Sequence, residues 1–319
     1  MILAIDTSCY TTSMALMDME GNLLSDQRRV LDVPLGERGL SQSEALFQHH
    51  RNLPLLIEKV AQDYDLRNLA ALGVSTRPRP VEGSYMPVFL GGEQTASVIA
   101  ASLRVPLHRF SHQEGHMMAG LFSSEFRPHN GHKFFLVHFS GGTSEILLAE
   151  KHGNGDYLLT LYAYGNDLHA GQFVDRIGVL LGLKFPTGAA LERLAAQYQG
   201  EVPKIKTWVK GKEFSFSGQE TAIRRLVEKG LPHGAAARAV EETIARTMIK
   251  VLSNAMEETG IFDILLVGGV MSNQLIADRL KRKLPTARLW FTASRYASDN
   301  AVGIAAITRE NLCNESYGK

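Results

Sequence analysis

Cysteine is nearly absent: Cys9 and Cys313 are the only two in 319 residues. That excludes a disulfide-stapled scaffold and fits a reducing compartment. Neither sign of charge dominates, with 34 Lys and Arg against 33 Asp and Glu. A chain that is basic all over is excluded; a local basic patch for nucleic acid is not. No apolar run reaches the roughly 18 residues that a membrane helix needs. Met1 to Asp6 enters a strand-like run with no basic leader, so no signal peptide is expected and the cytoplasm is the expected location. What is present is an ordinary globular composition, 45% hydrophobic and 21% charged. The length suits about two domains with an ample core.

Strand and helix patterns alternate along the chain. Strands are expected at 1–6, 13–19, 72–75, 133–139, 145–149 and 261–267, with Gly21-Asn22 as a hairpin turn. Helices are expected at 43–64, 95–103, 167–183, 190–198, 234–258, 274–283 and 300–310. Such alternation indicates α/β layers.

One internal repeat organises this list. The stretch "TSMALMDMEGNLL" from Thr12 and the stretch "TSEILLAEKHGNGDYLL" from Thr143 begin 131 residues apart. Each follows a strand that ends in a small, polar loop, "DTSCYT" and "HFSGG". Strand, small-residue turn and strand is a geometry that holds phosphate with backbone N–H groups. Two copies suggest either a duplicated nucleotide-binding fold or two unrelated hairpins. The polar, turn-rich segment "SSEFRPHNGHK" places the boundary near 125, giving halves 1–125 and 126–319.

The strongest local chemistry is "SHQEGHMMAG". His112 and His116 are four apart, so on a helix both imidazoles share one face within reach of one metal ion. A pair of surface histidines has the same spacing. A zinc protease would carry Glu directly after the first His; here Gln113 takes that slot and Glu114 is turned by about 100°. A carboxylate to complete a set is offered by Asp299 in "SDNAVGIA", although at the start of a helix Asp299 also reads as an N-cap. Two histidines and a carboxylate leave positions open for substrate and suit iron or zinc.

Glycine-rich segments occur at "FSGGTS", "VGGVMSN" and "FPTG", and a hydrophobic strand running into Gly-Gly is where a nucleotide can approach backbone closely. Asp175 lies in a helical run and reads as a ribose ligand or as a surface carboxylate. Lys204, Lys206, Lys210 and Lys212 around Trp208 form a basic stretch, either a phosphate contact or a solvated loop. The basic end of 279–283 complements a helix C-terminus.

In this order and spacing, "DTSC", "HQEGH", "FSGGTS", "AGQFVDRIGVLLGL", "FPTG", "FSFSG", "VGGVMSN" and "SDNAVGIA" resemble the threonylcarbamoyl-transfer family, over nearly the whole chain. The resemblance implies an α/β, duplicated actin/hexokinase/Hsp70-like (ribonuclease H-like) nucleotide-binding fold. It implies an acyltransferase that moves a threonylcarbamoyl group from threonylcarbamoyl-AMP to N6 of the adenosine beside the anticodon, in tRNAs reading codons that start with A. It implies one iron or zinc ion on His112, His116 and Asp299. Substrate and nucleotide contacts then fall on His138, Phe139, Ser140, Gly141, Gly142, Asp175, Gly188 and Asn273. The implied partners are tRNA, a homologous partner subunit and an ATPase.

Departures from the family pattern are specific. Tyr10 and Thr11 stand where the family has two acids after "TSC". A stiff loop, "STRPRPVEGSYMPVFLGG", carries Arg77 and Arg79, which suit a carboxylate or phosphate. "SGGTS" replaces "SGGHT", and Glu220 replaces a basic residue after "FSFSG". These changes keep two alternatives in view: the same chemistry on another acceptor, or a non-catalytic partner of the same fold.

Overall fold

The computed structural model describes residues 1–317 except Cys9, Leu35 and Arg38, and omits the side chains of 314–317. The "DTSC" cysteine therefore lies outside the described residues, whereas Cys313 is a free thiol.

Two sheets organise the chain. The first contains β1 (Ile2–Asp6), β2 (Thr11–Met17), β3 (Leu23–Val30), β4 (Ala71–Arg77) and β5 (Leu107–Ser111), in the order β3-β2-β1-β4-β5. The second contains β6 (Lys133–Phe139), β7 (Ser144–Gly153), β8 (Asp156–Gly165), β9 (Trp208–Lys210), β10 (Glu213–Ser215), β11 (Asp263–Val267) and β12 (Arg288–Phe291). Its order is β12-β11-β6-β7-β8-β10-β9. Without the β9–β10 addition the two sheets share one topology. In each, an antiparallel three-stranded meander continues into two parallel strands beside its first strand. The repeat is thus a duplicated fold, and the unrelated-hairpins reading falls.

The seven expected helices are present, 274–283 with its expected bounds and the rest with shifted ends, while the helices at 112–123, 217–228 and 294–297 have no counterpart among the expected ones. The helices are α1 (Gln42–Asp63), α2 (Phe89–Leu103), α3 (His112–Ser123), α4 (Ala170–Leu180), α5 (Gly188–Ala196) and α6 (Ser217–Glu228). Then come α7 (His233–Thr259), α8 (Gln274–Lys283), the single turn α9 (Ser294–Ala297) and α10 (Val302–Tyr317). None of the described helices is long and apolar enough to cross a membrane. The strands β5, β8, β9, β10 and β12 have no counterpart among the expected ones, and β3 is announced only by the turn at Gly21-Asn22. They are partly exposed, and their short or mixed patterns give little alternation to read.

The period-2 alternation of strands decides which residues meet. In β1, Leu3 and Ile5 face the cluster under α1 and α2, while Ala4 faces the opposite way. In β6, Phe135, Val137 and Phe139 face a cluster with α4 and α7, while Phe134 and Leu136 face the opposite way. The opposite faces of both sheets meet one shared cluster, filled by Met117 and Ala119 of α3 and Val302 to Ile307 of α10. By the same alternation Asp6 follows Ala4, and His138 follows Leu136, onto the faces turned toward α3.

Candidate metal centre and ligand cavity

Helix α3 begins with a capping box. Ser111 accepts from the Glu114 amide, and Glu114 returns a carboxylate to the Ser111 amide. The first helical residue is therefore His112, and His116 lies one turn on. Gly115 between them lets α10 cross almost backbone to backbone: a Cβ on Gly303 would lie 1.8 Å from the Gly115 carbonyl oxygen. That crossing brings the segment before α10 against the two histidines.

Asp299 comes from this segment. Its Oδ1 lies 3.4 Å from both His112 Nε2 and His116 Nε2. The alternative N-cap role is corrected here. Helix α10 starts at Val302, and it is Asn300 whose Oδ1 accepts from the Val302 amide while its Nδ2 donates to the Tyr296 and Ser298 carbonyls. Asn300 holds the turn, so the Asp299 carboxylate is released toward the imidazoles.

The three side chains fit a metal ion. Their donor atoms all lie within 4.8 Å of one another. Ligands about 2.1 Å from one tetrahedral ion sit about 3.4 Å apart, which matches both His–Asp distances. Asp6 Oδ2, fully buried, is 2.8 Å from His112 Nδ1. That contact fixes the ring so that Nε2 faces Asp299, the usual carboxylate–histidine support of a metal ligand. Burial disfavours a charged His112, yet Asp6 and Asp299 outweigh it and raise the imidazolium to about 10. Asp299 is held well below the carboxylate range, its burial outweighed by the two histidines. His116 is kept neutral by burial and by His112.

His138 joins from β6, its ring 4.6 Å from His116. Burial first, then the neighbouring imidazoles, push its pKa well below the usual value. Among the described residues, the buried ring nitrogens of His116 and His138 have no hydrogen-bond partner, His116 Nε2 meeting Asp299 Oδ1 only at 3.4 Å. Neutral imidazoles with unused lone pairs are what a metal-binding cluster requires.

Asp299 also lines a cavity of about 460 Å³. Both hairpin loops reach it: Tyr10 and Thr11 from the first, Ser140 and Gly141 from the second. Asp175, Gly188 and Asn273 line it as well, so these sequence-selected residues come together. Phe139 does not reach it; its side chain is buried against Phe214 and Phe216. Gly142 is outside the lining too. Asp175 is not a surface carboxylate. Its Oδ1 accepts from the Thr187 amide at 2.7 Å and from the Thr187 hydroxyl, and burial pushes its pKa up. This tie braces the turn that leads into α5 at Gly188. Asn273 caps α8 by accepting from the Ile276 amide, and its Nδ2 donates to Glu241 Oε1 at 2.7 Å.

The arginine loop has an internal partner. Arg79 pairs with Glu145 Oε1 at 2.6 Å, and Gln113 Nε2 donates to Glu145 Oε2 at 2.9 Å. The Gln113 amide donates to the Pro78 carbonyl, docking the loop on the start of α3. Arg79 is thus engaged by the protein itself. Of the lysine stretch, Lys212 pairs with Glu258 and covers the Tyr162 ring, while Lys206 and Trp208 line a groove away from the cavity.

Three site residues are not singled out by the sequence pattern above. Asp6 carries a signal, since it shares the strand face of Ala4. Glu241 carries one too: Ala237 and Ile244, at helical spacing on either side, mark its face as inward. Glu145 has none, because its partners come from distant segments.

The profile of a family described as tRNA N6-adenosine threonylcarbamoyltransferase (TsaD) matches residues 35–306. A protein of that description from Nitrosospira multiformis is 30% identical, covering 96% of this chain and 89% of its own. One from Thermus thermophilus is 33% identical, covering 88% of this chain and 84% of its own. Among solved structures, full-length HypF in a phosphate- and nucleotide-bound form is similar with a TM-score of 0.59 at 14% identity, covering 98% of this chain and 46% of that one. The activator of 2-hydroxyisocaproyl-CoA dehydratase from Clostridium difficile gives 0.56 at 14% identity, covering 99% and 96%. These likenesses agree with an actin/hexokinase-like fold.

Proposed function

The chain belongs to the tRNA N6-adenosine threonylcarbamoyltransferase family, and from that premise we propose that it transfers a threonylcarbamoyl group from threonylcarbamoyl-AMP to N6 of the adenosine beside the anticodon. The acceptors are tRNAs reading codons that begin with A. The observation that carries this reading is Asp299, which belongs at once to the histidine cluster and to the cavity lined by both hairpin loops.

His112, His116 and Asp299 would hold one iron or zinc ion, which when bound would supply a fixed positive charge and Lewis-acid polarisation of a carbonyl or carboxylate. The chain's own residues bind and orient. The loop at Ser140 and Gly141 offers main chain to the phosphate. Asp175 and Gly188 flank the ribose, and Asn273 stands at the far wall. Asp6 orients His112. In the transfer the adenosine amine forms a bond to the carbamoyl carbon, the bond from that carbon to the phosphate oxygen breaks, AMP leaves, and one N6 proton is released. The adenylate is already activated, so no protein nucleophile is needed. The halves 1–125 and 126–319 are read as the two actin-like lobes, working in the cytoplasm with a homologous partner subunit and an ATPase.

The test is nucleoside mass spectrometry. The protein is mixed with threonylcarbamoyl-AMP, unmodified tRNA and an extract lacking its own transferase. Threonylcarbamoyl-adenosine is expected. Its absence, where an authentic relative succeeds in the same extract, overturns the reading. A second reading keeps the chemistry and changes the acceptor; Tyr10 and Thr11 at the cavity wall, in place of two acids, favour it.

A further inference from the structure

The cavity has a charge problem. Its lining carries Asp175, Glu192, Glu241 and Asp299, and no Lys, Arg or His among the described residues. A nucleotide brings more negative charge. Asp299 is turned to the histidines, Asp175 is tied to Thr187, and Glu192 Oε1 accepts from the Gln274 amide at 2.8 Å. Glu241 is different. It is 2% exposed and in the middle of α7. Oε1 accepts from Asn273, and the residue lines the cavity.

Among the described residues, no cation pairs with this carboxyl. Arg238, one turn earlier, gives its guanidinium to the Ala195 carbonyl. Arg279 of α8 is paired with Glu242. Glu192 of α5 faces Glu241 with like charge. The walls beside it are apolar: Leu191, Ile244 and Ile276. That combination of flat apolar walls and two convergent polar groups suits a heterocyclic base.

We propose that Glu241 is a specificity-determining residue of the nucleotide site: its neutral carboxyl donates a hydrogen bond from Oε2 to a ring nitrogen of the purine, while Asn273 holds Oε1. The inference rests on the reading of this cavity as an adenylate site. Burial first, then Glu192 and Glu242, push the Glu241 pKa up to about 7, against the opposing pull of Asn273 and Arg238. The neutral acid is therefore available near neutrality, as an unpaired buried carboxyl should be. Ionised, Glu241 is acceptor-only and faces a ring nitrogen that is also an acceptor. Adenylate affinity therefore falls as pH rises through the Glu241 pKa.

The test is calorimetric titration of the metal-loaded protein with AMP between about pH 6 and about pH 8.5, for the wild type, Glu241→Gln and Glu241→Ala. Glutamine keeps the acceptor for Asn273 and supplies a permanent donor. The ratio of wild-type to Glu241→Gln affinity cancels titration of the ligand and of the metal site. That ratio is expected to be near one at the acid end and to fall about tenfold per pH unit above about 7. Glu241→Ala should bind weakly throughout, by about tenfold or more. A ratio that does not change with pH, or an alanine variant that binds like the wild type at about pH 6, overturns the role of Glu241. If AMP fails to bind the wild type even at about pH 6, the adenylate reading itself falls, and this inference with it.

Discussion

Asp6 Oδ2 and His112 Nδ1 stand 2.8 Å apart, one at the end of β1 and the other at the start of α3. The contact makes a buried carboxylate the orienting partner of the proposed metal ligand His112. Asp6→Asn is expected to lower metal affinity about 10–100-fold while leaving the fold intact. Competition with a coloured chelator reads this directly, and unchanged affinity would remove Asp6 from the site.

Gly303 is where α10 meets α3. Alanine there places Cβ 1.8 Å from the Gly115 carbonyl, which is backbone and cannot swing aside. Gly303→Ala should cost about 3 kcal/mol of stability and reduce bound metal, because it pushes Asp299 away from the histidines. Gly115→Ala meets instead the Ile304 Cδ1 at 2.9 Å, the end of a side chain that can turn. Its cost should be smaller, about 1 kcal/mol. Urea denaturation and metal analysis of the two variants test the contrast.

Arg79 and Glu145 form a half-buried pair, with Arg79 43% exposed and Glu145 7% exposed at the side chain. Arg79→Ala leaves the Glu145 carboxylate buried with Gln113 alone, and about 2 kcal/mol should be lost. Adding Glu145→Gln should restore much of that, since the stranded charge is gone. Equal denaturation midpoints for the single and double variants would refute the coupling.

Acid should loosen the edge of the second sheet. Asp263 accepts both arms of Arg288 at 2.6 Å and is 2.9 Å from His132 Nε2. Arg288 above all, with help from His132 and against burial, lowers the Asp263 pKa to about 2. A carboxyl lowered on folding stabilises the fold above its unfolded pKa of about 3.9, and that stability disappears as pH falls through the folded value. Exposure of Arg288 discounts the gain to about 1 kcal/mol. Wild type should lose this between about pH 4 and about pH 2, whereas Asp263→Asn should show no such loss in the same window.

Helices with strong periodicity are legible in the amino-acid pattern. The 274–283 helix has its expected bounds, and α1 and α7 differ from theirs by one residue at each end. The duplication is legible too, because both hairpins repeat one pattern of apolar strand and small loop. The donor set of His112, His116 and Asp299 is legible through the order of motifs. Its geometry is not: a carboxylate 183 residues from the second histidine, as the numbering gives, has no local signal.

The α/β layers, the repeated half and the helical spacing of the two histidines are written locally, since each depends on periodicity within one segment. Tertiary structure alone decided that Asn300 takes the helix end and frees Asp299, and that Arg79 is spent on Glu145. It also decided that Glu241 meets Asn273 rather than a cation. Those outcomes depend on which distant groups share a low-dielectric volume, and that is set by how two sheets close around α3 and α10.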